Sequence, residues 1–370
     1  MIADNIAVVI LSAGVSSRMG KFKPLLPLGN KTVIEQVVAT FLRAGVRDIR
    51  VVLGYRARDV IAVLKNPAVS WSINDDYQSE MFNSVKKGVD DLKHDSQAFF
   101  ILPVDIPLVR PQTLRLLMGS LGKDTRQIIY PTFLGERGHP PLIPRQYAEE
   151  FSRWSGNGGL KGFLESYGHR SLDVPVFDKG VLMDMDTPEQ YRRIVDRYEK
   201  RQIPLKTECM AMMGTRFSEN HPVVRHSRVV ARVARDIGEK LVQAGCPVNI
   251  DLLEACGYLH DIGKGERDHA GFGAQLLKNM GYPTVADIIA SHMDLSFTDG
   301  EKITEKEVLY LADKLACGQK ILSLDKRLEL KLEQLSDHPD GKMGAEKRIR
   351  SAMKIEKAIE GITGEKITSL

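Results

Sequence analysis

Residues 6–26 read IAVVILSAGVSSRMGKFKPLL, and this stretch decides the fold of the first half of the chain. Its apolar beginning is typical of a buried strand, and the strand passes directly into a loop of small residues. The small residues at positions 12–14 let a ligand approach the backbone N–H groups closely. Arg18, Lys21 and Lys23 supply positive charge for phosphates. The stretch therefore predicts a loop that binds a phosphate-rich ligand at the end of the first strand.

Two common phosphate-binding loops do not fit this spacing. A P-loop reads G-x-x-x-x-G-K followed by Ser or Thr, whereas five residues separate Gly14 from Gly20 here. Phe22 follows Lys21, where a P-loop needs a hydroxyl. No G-x-G-x-x-G sequence follows the strand, so the dinucleotide-binding fingerprint is excluded as well. From charge alone, a solvated basic loop between a strand and a helix remains an alternative.

The size and composition of the chain limit its class. Its 370 residues leave room for two domains. A hydrophobic fraction of 43% and a charged fraction of 27% are ordinary for a soluble globular protein. The four cysteines have no C-x-x-C spacing, so neither a zinc cage nor a disulfide framework is indicated. A net charge of +4 does not indicate a nucleic-acid partner.

The chain carries no recognisable membrane or export signal. No apolar run reaches the roughly 18 residues that a membrane helix needs, so no membrane partner is expected. The N-terminal sequence MIADNIAVVILSAG contains Asp4 and lacks a basic region before its apolar run, and it is therefore not a signal peptide. The cytoplasm is the expected location.

Residues 1–198 alternate short apolar runs with segments of helical periodicity. The runs are AVVIL, IRVVL, AFFIL and QIIYP, at 7–11, 49–53, 98–102 and 127–131. Alternating strands and helices predict an α/β fold with a mostly parallel, Rossmann-like sheet that is covered on both faces. Ligands of such sheets bind at the carboxyl ends of the strands, where Ser12–Lys23 and Pro103–Pro107 both fall.

The pattern changes after residue 198. Residues 199–218 contain a proline, a glycine and mixed charge, and are interpreted as a linker or a short connecting helix. Beyond them the chain is almost entirely helical, as in HPVVRHSRVVARVARDIGEKLVQAG (221–245), whose apolar residues recur at helical spacing. An all-α domain is predicted over 219–335. Residues 336–370 are predicted to form a C-terminal helical extension, a basic amphipathic helix with a solvated face.

Two acidic motifs in the first half are candidates for metal binding. Asp105 lies in PVDIP directly after the run AFFIL, and Asp186 lies in DMDTP (184–188). A carboxylate fixed between prolines at the end of a strand can hold Mg²⁺ against phosphate oxygens. An isolated aspartate in a loop is more often a turn or cap residue, and the sequence from Asp186 to Glu189 also predicts a helix start with a proline near its first position. Both roles can coexist.

The full loop pattern x-A-G-x-S-x-R-M-G-x-x-K-x-L-L at 12–26 resembles the signature of the MobA/MocA-like nucleotidyltransferases, and the similarity extends over roughly residues 5–198. In that family an aspartate in a motif like PVDIP binds the catalytic Mg²⁺, which implies Asp105 as a metal ligand. The D-x-D-T-P-E motif implies Asp186 as the second catalytic carboxylate and metal ligand, with Asp184 as a weaker candidate.

The same resemblance implies the remaining contacts of the site. Arg18 and Lys23 would act in catalysis by holding the triphosphate. The other implied contacts are the backbone of Leu11, Ala13 and Gly14 for the nucleotide, Asn74 and Ser84 for the base and ribose, and Arg137 and His139 of GERGHPPLI (135–143) for the acceptor.

The implied reaction is nucleotidyl transfer, in which an acceptor phosphate attacks the α-phosphorus of an NTP and pyrophosphate leaves. The S-A-G of this loop is nearer to the A-A-G of the MocA-like branch, which resembles the molybdopterin cytidylyltransferases. CTP and a molybdopterin-type acceptor are therefore the implied substrates, with a molybdoenzyme as an implied client. Another NTP stays open, as does a sugar phosphate or another small phosphorylated acceptor.

HDIGK (260–264) is the second strong motif of the chain. Adjacent His260 and Asp261 suit a divalent metal, because neutral imidazole and carboxylate are both metal ligands. His226 lies upstream, and Asp313 lies downstream in YLADKL. The arrangement H…HD…D resembles the HD phosphohydrolase superfamily over roughly residues 219–335.

This second resemblance implies a site for a divalent metal such as Mn²⁺, Fe²⁺, Mg²⁺ or Zn²⁺, where an activated water attacks phosphorus. Lys264 would stabilise the phosphate. His269 and His292 fall where two-metal members carry further ligands. The simple alternatives are a surface histidine at a helix start for His269 and a buried core histidine for His292. Nucleotides are the usual substrates of that superfamily.

The whole sequence predicts a bifunctional enzyme that joins a nucleotidyltransferase to a metal-dependent phosphohydrolase. Two other hypotheses stay open. Phosphohydrolysis could be the main activity, with the first domain only sensing nucleotide, or the chain could be a non-enzymatic cofactor-binding module. The intact carboxylates and cations of the first site argue against the binding module.

Overall fold

The computed structural model of the chain describes residues 5–77, 81–93, 95–122 and 126–367. The chain divides into two compact units, residues 1–200 and 201–370. Within the described ranges, no helix has both the length and the apolar character that crossing a bilayer requires.

The first unit alternates strands and helices along the chain. Its elements are β1 (Ile6–Ser12), β2 (Pro27–Leu28), β3 (Lys31–Thr32), α1 (Val33–Ala44), β4 (Asp48–Leu53), α2 (Ala57–Val63), β5 (Val69–Ile73), α3 (Met81–Asp90), β6 (Ala98–Pro103), α4 (Pro111–Gly119), β7 (Ile128–Phe133), β8 (Glu136–Arg137), β9 (Leu142–Pro144), α5 (Ala148–Arg153), α6 (Gly159–Ser166), β10 (Ser171–Pro175) and α7 (Pro188–Glu199).

Eight of these strands form one sheet in the order β10-β7-β9-β6-β1-β4-β5, with β8 paired to β7. The pairs β1–β4, β1–β6, β4–β5 and β7–β10 are parallel, and β9 and β8 pair antiparallel with their neighbours. All seven residues of β1 are buried, as expected for a central strand between two helical layers. The predicted α/β fold with a mostly parallel sheet is confirmed.

The two strands at the ends of this sheet order, β5 and β10, were not predicted from the sequence. Their sequences VSWSI and SLDVP mix apolar and polar residues. An edge strand is less enclosed than a central one, so it does not need the continuous apolar run that marks a buried strand.

The neighbours of β1 determine what lies beside its loop. In the sheet register, Leu11 is opposite Pro103 of β6, and Ser12 is opposite Leu53 of β4. Because these three strands are parallel, their carboxyl ends meet at the same edge of the sheet. The loop after β1 and the PVDIP segment after β6 therefore lie side by side.

Helix α7 begins directly after the DMDTP motif. The Gln190 N–H donates to the Thr187 hydroxyl, and the Thr187 N–H donates to the Gln190 side chain, which is a capping box with Pro188 in the first helical position. The cap is thus Thr187, and the side chain of Asp186 is left for other contacts.

The second unit is almost entirely helical, as predicted. Its elements are α8 (Lys206–Gly214), α9 (Pro222–Gln243), α10 (Ile250–Leu259), α11 (His269–Asn279), α12 (Pro283–Ile289), α13 (Glu305–Leu315), β11 (Ala316–Cys317), β12 (Lys320–Ile321), α14 (Leu324–Gln334) and α15 (Pro339–Thr363). Strands β11 and β12 form a short antiparallel pair.

The segment interpreted as a linker or a short connecting helix, residues 199–218, is partly helical and partly buried. This segment contains α8, whose side chains of Glu208, Cys209, Met212 and Met213 are buried in the second unit. The Tyr282 hydroxyl donates to Glu208 at 3.3 Å. Helix α8 therefore contributes to the packing of the second unit rather than forming a free connection.

The C-terminal extension, residues 336–370, is less exposed to solvent than the sequence predicts. Helix α15 buries Ala345, Ile349, Ala352, Ile355 and Ile359. Because these apolar residues recur at spacings of three and four positions, they share one face of the helix. The helix is amphipathic as predicted, but its apolar face is part of the core of the second unit.

Candidate active sites

The loop after β1 is held close to the sheet by hydrogen bonds. The Val104 N–H donates to the Leu11 carbonyl at 3.0 Å. The Lys23 N–H donates to the Ser16 hydroxyl at 3.2 Å. Ser16 has a left-handed backbone conformation, with φ of 59°, and this turns the loop. The chain is thereby folded back so that Lys23 returns to the strand ends.

A cavity of about 230 Å³ lies at these strand ends. Ser12 contributes a hydroxyl that is buried and makes no hydrogen bond within the described part of the chain, so it can bond to a ligand. The cavity is lined by Leu11, Ser12, Ala13, Gly14, Ser16, Lys23, Pro24, Tyr77, Met81, Ser84, Pro103, Val104 and Asp105. Six of the residues predicted for the first site are among them.

Lys23 connects the two predicted metal ligands of the first unit. Its Nζ lies 3.0 Å from Asp105 Oδ2 and 2.6 Å from Asp186 Oδ1, and its side chain is only 10% exposed. Arg18 Nη1 lies 2.8 Å from the other oxygen of Asp186. Two carboxylates from distant parts of the chain therefore face the same cation. Asp184 Oδ1 accepts a hydrogen bond from Gln190, and within the described residues Asp184 makes no ion pair with Lys23 or Arg18.

This pairing shifts the pKa of both partners. The hydrogen bond from Lys23 lowers the pKa of Asp186, and burial opposes this only in part. Burial would lower the pKa of Lys23, but its contacts with Asp186 and Asp105 outweigh that effect and raise it. Both groups are therefore charged at neutral pH.

The residues predicted to contact base and ribose also meet. Asn74 follows β5 and Ser84 lies on α3, and the Asn74 side-chain amide donates to the Ser84 hydroxyl at 2.9 Å. Ser84 lines the cavity. The contact brings Asn74 to the side of the cavity formed by α3.

The two residues predicted to bind the acceptor lie outside the lining of this cavity. Arg137 is exposed, its Nε is 2.6 Å from Asp173, and its guanidinium lies over the Tyr130 ring. His139 is near enough to Asp105 for that charge to raise its pKa, but burial has the larger effect and lowers the pKa of His139. The Nδ1 of His139 is buried without a hydrogen-bond partner in the described part of the chain. Neither side chain lines the cavity.

In the second unit, the six predicted metal ligands converge from different elements. They are His226 on α9, His260 and Asp261 directly after α10, His269 at the start of α11, His292 after α12, and Asp313 on α13. Two glycines permit this convergence. A Cβ on Gly257 would lie 2.3 Å from the Cα of Ala231, so only glycine lets α10 pack this closely on α9. A Cβ on Gly263 would lie 2.1 Å from the carbonyl oxygen of His269.

One group of ligands surrounds a single point between α9, α10 and α13. His226 Nε2 lies 3.0 Å from Asp313 Oδ1. His260 Nε2 lies 3.5 Å from the same oxygen and 3.7 Å from Asp261 Oδ2. His260 Nε2 is buried and makes no hydrogen bond within the described residues. A buried imidazole nitrogen that faces carboxylates without bonding to them suits a metal ligand.

Asp261 uses its other oxygen in a second group. Asp261 Oδ1 lies 3.3 Å from His269 Nε2 and 3.6 Å from His292 Nε2. The two Nε2 atoms are 3.2 Å apart. Asp261 thus presents one oxygen to each group of histidines, which is the arrangement of a carboxylate that bridges two cations.

Backbone carbonyls orient two of these rings. His260 Nδ1–H donates to the Gly257 carbonyl at 2.9 Å, and His292 Nδ1–H donates to the Ile289 carbonyl at 2.7 Å. A carbonyl only accepts, so the proton is assigned to Nδ1, and in the neutral ring Nε2 offers its lone pair to the cluster. Both histidines are therefore oriented as ligands before any metal binds.

The carboxylates of this cluster are ionised. Burial alone would raise the pKa of Asp261, but its contact with the His292 ring and the charged groups around it, Lys264 among them, hold that pKa well below its usual range. The pKa of Asp313 is lowered despite burial, chiefly by the charge of Lys314. Metal ligands must be deprotonated, and both groups meet that condition.

The cluster opens onto a cavity of about 560 Å³, a volume in the range of small-molecule sites. Lys264 Nζ lies 3.3 Å from Asp261 Oδ2 at its wall. Lys314 Nζ lies 2.7 Å from Asp313 Oδ2 and donates to the His292 carbonyl at 3.1 Å. Lys314 thereby connects the two groups of ligands.

Sequence reasoning missed several residues of these sites. The sequence places Ser12 among the small residues of the loop but does not mark its hydroxyl as a ligand contact, and it does not mark Lys314 at all. Arg327 and Lys331 on α14 and Arg348 on α15 also line the larger cavity. Their only sequence signal was the helical spacing of 327 and 331, which is common on solvated helices.

Comparisons with known families agree with this division of the chain. Residues 8–171 match the family described as MobA-like NTP transferase domain, and residues 223–317 match the HD domain. The predicted family resemblances of both halves are confirmed. Helices α14 and α15 lie beyond the matched part of the HD domain.

Relatives of the first unit carry different names. Molybdenum cofactor cytidylyltransferase of Escherichia coli is 26% identical over 191 residues, which are 51% of this chain and 95% of that protein. Nicotine blue oxidoreductase of Paenarthrobacter nicotinovorans is 28% identical over 194 residues, 50% of this chain and 95% of that protein. Among solved structures, a nucleotidyl transferase from Methanothermobacter is 26% identical with a TM-score of 0.48, covering 53% of this chain and 98% of its own.

Proposed function

We propose that this chain, in which a MobA-like NTP transferase domain precedes an HD domain, transfers a nucleotidyl group from CTP to a molybdopterin-type phosphate. The observation that carries the proposal is the convergence of Asp105 and Asp186 on Lys23 beside the loop after β1. The S-A-G sequence of the loop and the similarity to the Escherichia coli cytidylyltransferase favour CTP and molybdopterin over other substrates.

In the proposed reaction, an oxygen of the acceptor phosphate bonds to the α-phosphorus of the NTP. The bond from that phosphorus to the bridging oxygen breaks, and pyrophosphate leaves. The backbone N–H groups of the loop orient the phosphates, and Arg18 and Lys23 neutralise the charge that accumulates on the leaving pyrophosphate. On this proposal, Lys23 turns from the two carboxylates to the phosphates when the nucleotide binds.

Asp105 and Asp186 would hold Mg²⁺. They fit this role because they already share one cation, the ammonium of Lys23. When bound, Mg²⁺ neutralises phosphate charge and helps to align the reacting groups.

The test is a panel of the four NTPs with molybdopterin as acceptor, in which released pyrophosphate is measured. We expect release with CTP that depends on the acceptor. If no NTP is stimulated by molybdopterin, the acceptor assignment is wrong, and a sugar phosphate or another small phosphorylated compound is the next candidate.

A second activity, hydrolysis of a phosphate ester, is proposed for the HD domain because Asp261 faces both histidine groups. His226, His260, Asp261 and Asp313 would hold one divalent metal, and Asp261 with two further histidines would hold a second. Such metals activate water and polarise phosphate when bound. In the proposed role, Lys264 would bind a phosphate oxygen of the substrate.

This second activity is tested with p-nitrophenyl phosphate and Mn²⁺, with EDTA as the metal-free control. We expect hydrolysis by the wild type and none by Asp261→Asn, while nucleotidyl transfer by the variant is unchanged. Loss of both activities in Asp261→Asn would instead mean that the two domains are coupled or that their activities are misassigned.

A further inference from the structure

The cavity beside the cluster of candidate metal ligands carries more Lys and Arg side chains than the two aspartates of that cluster can pair with. Five cationic and two acidic side chains line it. Two of the lysines are paired with the two aspartates, as described above. The other three cations, Arg327, Lys331 and Arg348, belong to α14 and α15, beyond residues 223–317 that match the HD domain.

These three cations are poorly neutralised by the protein. Lys331 Nζ donates to the uncharged side chain of Gln334 at 3.3 Å. Arg348 Nη1 lies 3.4 Å from Asp294, whose side chain is 77% exposed. Arg327 has no ion pair within the part of the chain that the structure describes. Because all three side chains are partly buried, their charges act on the cavity with less screening than on an open surface.

The same cavity has an apolar side. Val223, Met293, Leu335, Ala345 and Ile349 line it. An inorganic anion alone would leave this apolar surface without a contact, whereas the carbon skeleton of an organic ligand can cover it. The lining therefore combines candidate metal ligands, apolar side chains and a separate group of cations.

We propose that the second unit binds an organic phosphate ester that carries a second phosphate group. One phosphate would lie beside the candidate metal ligands, and the second would be bound by Arg327, Lys331 and Arg348. Arginine binds phosphate through two parallel N–H donors, and lysine adds a point charge. The inference rests on the proposed hydrolase function of the HD domain and adds the substrate class to it.

In the proposed hydrolysis, the oxygen of water would bond to the phosphorus that lies beside the His and Asp ligands, and a metal held there would supply the activation of that water. The ester bond between that phosphorus and the organic oxygen breaks, and the alcohol leaves with a proton from the water. The second phosphate stays on the organic product. Arg327, Lys331 and Arg348 thus determine specificity and do not touch the reacting atoms.

The test compares adenosine 5′-monophosphate with adenosine 3′,5′-bisphosphate as substrates of the full chain with Mn²⁺. We expect the wild type to prefer the bisphosphate by about tenfold or more in kcat/KM. Arg327→Gln should lose most of this preference, because kcat/KM falls more for the bisphosphate than for the monophosphate. Lys326→Gln is the matched control, because Lys326 is the exposed neighbour and pairs with Glu329 at 2.6 Å.

Calorimetric binding of the same two nucleotides in EDTA gives a second readout that does not need turnover. Both variants keep the same first unit, so a difference between them reports on the second unit. Equal affinity of the wild type for the two nucleotides, binding of neither, or an equal loss for both in Arg327→Gln would overturn the inference. Preferential binding of the bisphosphate without hydrolysis of either would support it and refute the hydrolase function instead.

Discussion

Lys23 Nζ lies 2.6 Å from Asp186 Oδ1, although the two residues are 163 positions apart in the chain. The contact joins the loop after the first strand to the motif that precedes the last helix of the first unit. The same ammonium also contacts Asp105. Without a metal, this buried lysine and the exposed Arg18, which lies 2.8 Å from Asp186, balance the two carboxylates.

Replacing Lys23 by Ala should destabilise the metal-free protein by about 1–3 kcal/mol, because two carboxylates then face each other without a buried cation. Mg²⁺ should restore more stability to Lys23→Ala than to the wild type. Thermal unfolding with and without Mg²⁺ measures both effects. Lys21→Ala, which removes an exposed lysine of the same loop, is the control. Similar behaviour of the two variants would contradict the role of Lys23.

The DMDTP motif offers two aspartates, and the structure brings only Asp186 into contact with Lys23. We expect Asp186→Asn to reduce the rate of pyrophosphate release by about a thousandfold, as does loss of a key charged group in a preorganised site. Asp184→Asn should stay within about threefold of the wild type, because Asp184 only accepts a hydrogen bond from Gln190. A larger loss in Asp184→Asn would reverse the assignment.

Asp261 faces both groups of histidines, so its replacement should affect both metals. Metal analysis after loading with Mn²⁺ and desalting should find about two equivalents in the wild type and about one in His269→Gln. Asp261→Asn should retain little metal in the second unit. The expectation fails if His269→Gln and the wild type hold the same amount.

Helix α15 packs its apolar face into the second unit, and its buried residues should matter for stability. Ile355 is fully buried, and Ile355→Ala should cost about 2–4 kcal/mol of unfolding free energy. Lys357→Ala on the exposed face of the same helix should change stability by less than about 0.5 kcal/mol. Chemical denaturation measures both, and equal small effects would mean that the extension is solvated after all.

The start of α1 should give the first unit a pH-dependent contribution. Burial would raise the pKa of Glu35, but hydrogen bonds from the Thr32 side chain and backbone lower it. A carboxyl whose folded pKa is lowered stabilises the protein above its unfolded pKa and loses that contribution as the pH falls through the folded value. Stability should therefore fall as the pH drops below about 4.5, and Glu35→Gln should remove about 0.5–1 kcal/mol of this dependence. Identical pH profiles in chemical denaturation would contradict this.

Local features of these sites were predictable because they depend on neighbours in the sequence. The apolar run before Ser12 predicts a buried strand, and the small residues after it predict a loop that a ligand can approach. HDIGK predicts a histidine and an aspartate side by side at the end of a helix. These inferences need only periodicity and residue chemistry within a few turns of the chain.

Elements without a clear sequence pattern were less predictable. Strand β5 mixes serine with apolar residues, and α8 carries buried methionines among charged residues, so neither has a clean pattern. Whether α15 is solvated or buried depends on what lies against its apolar face, and an amphipathic helix has the same sequence pattern in either case.

The sequence by itself determined which chemistry the chain carries: a phosphate-binding loop, two acidic motifs, and the ligands of a metal site. The tertiary structure alone decided how these groups pair. It brought Lys23 between Asp105 and Asp186, gave each oxygen of Asp261 its own histidine group, and directed the cations of α14 and α15 to the cavity. The physical reason is that periodicity and motifs act over short distances along the chain, whereas these contacts depend on how strands and helices pack.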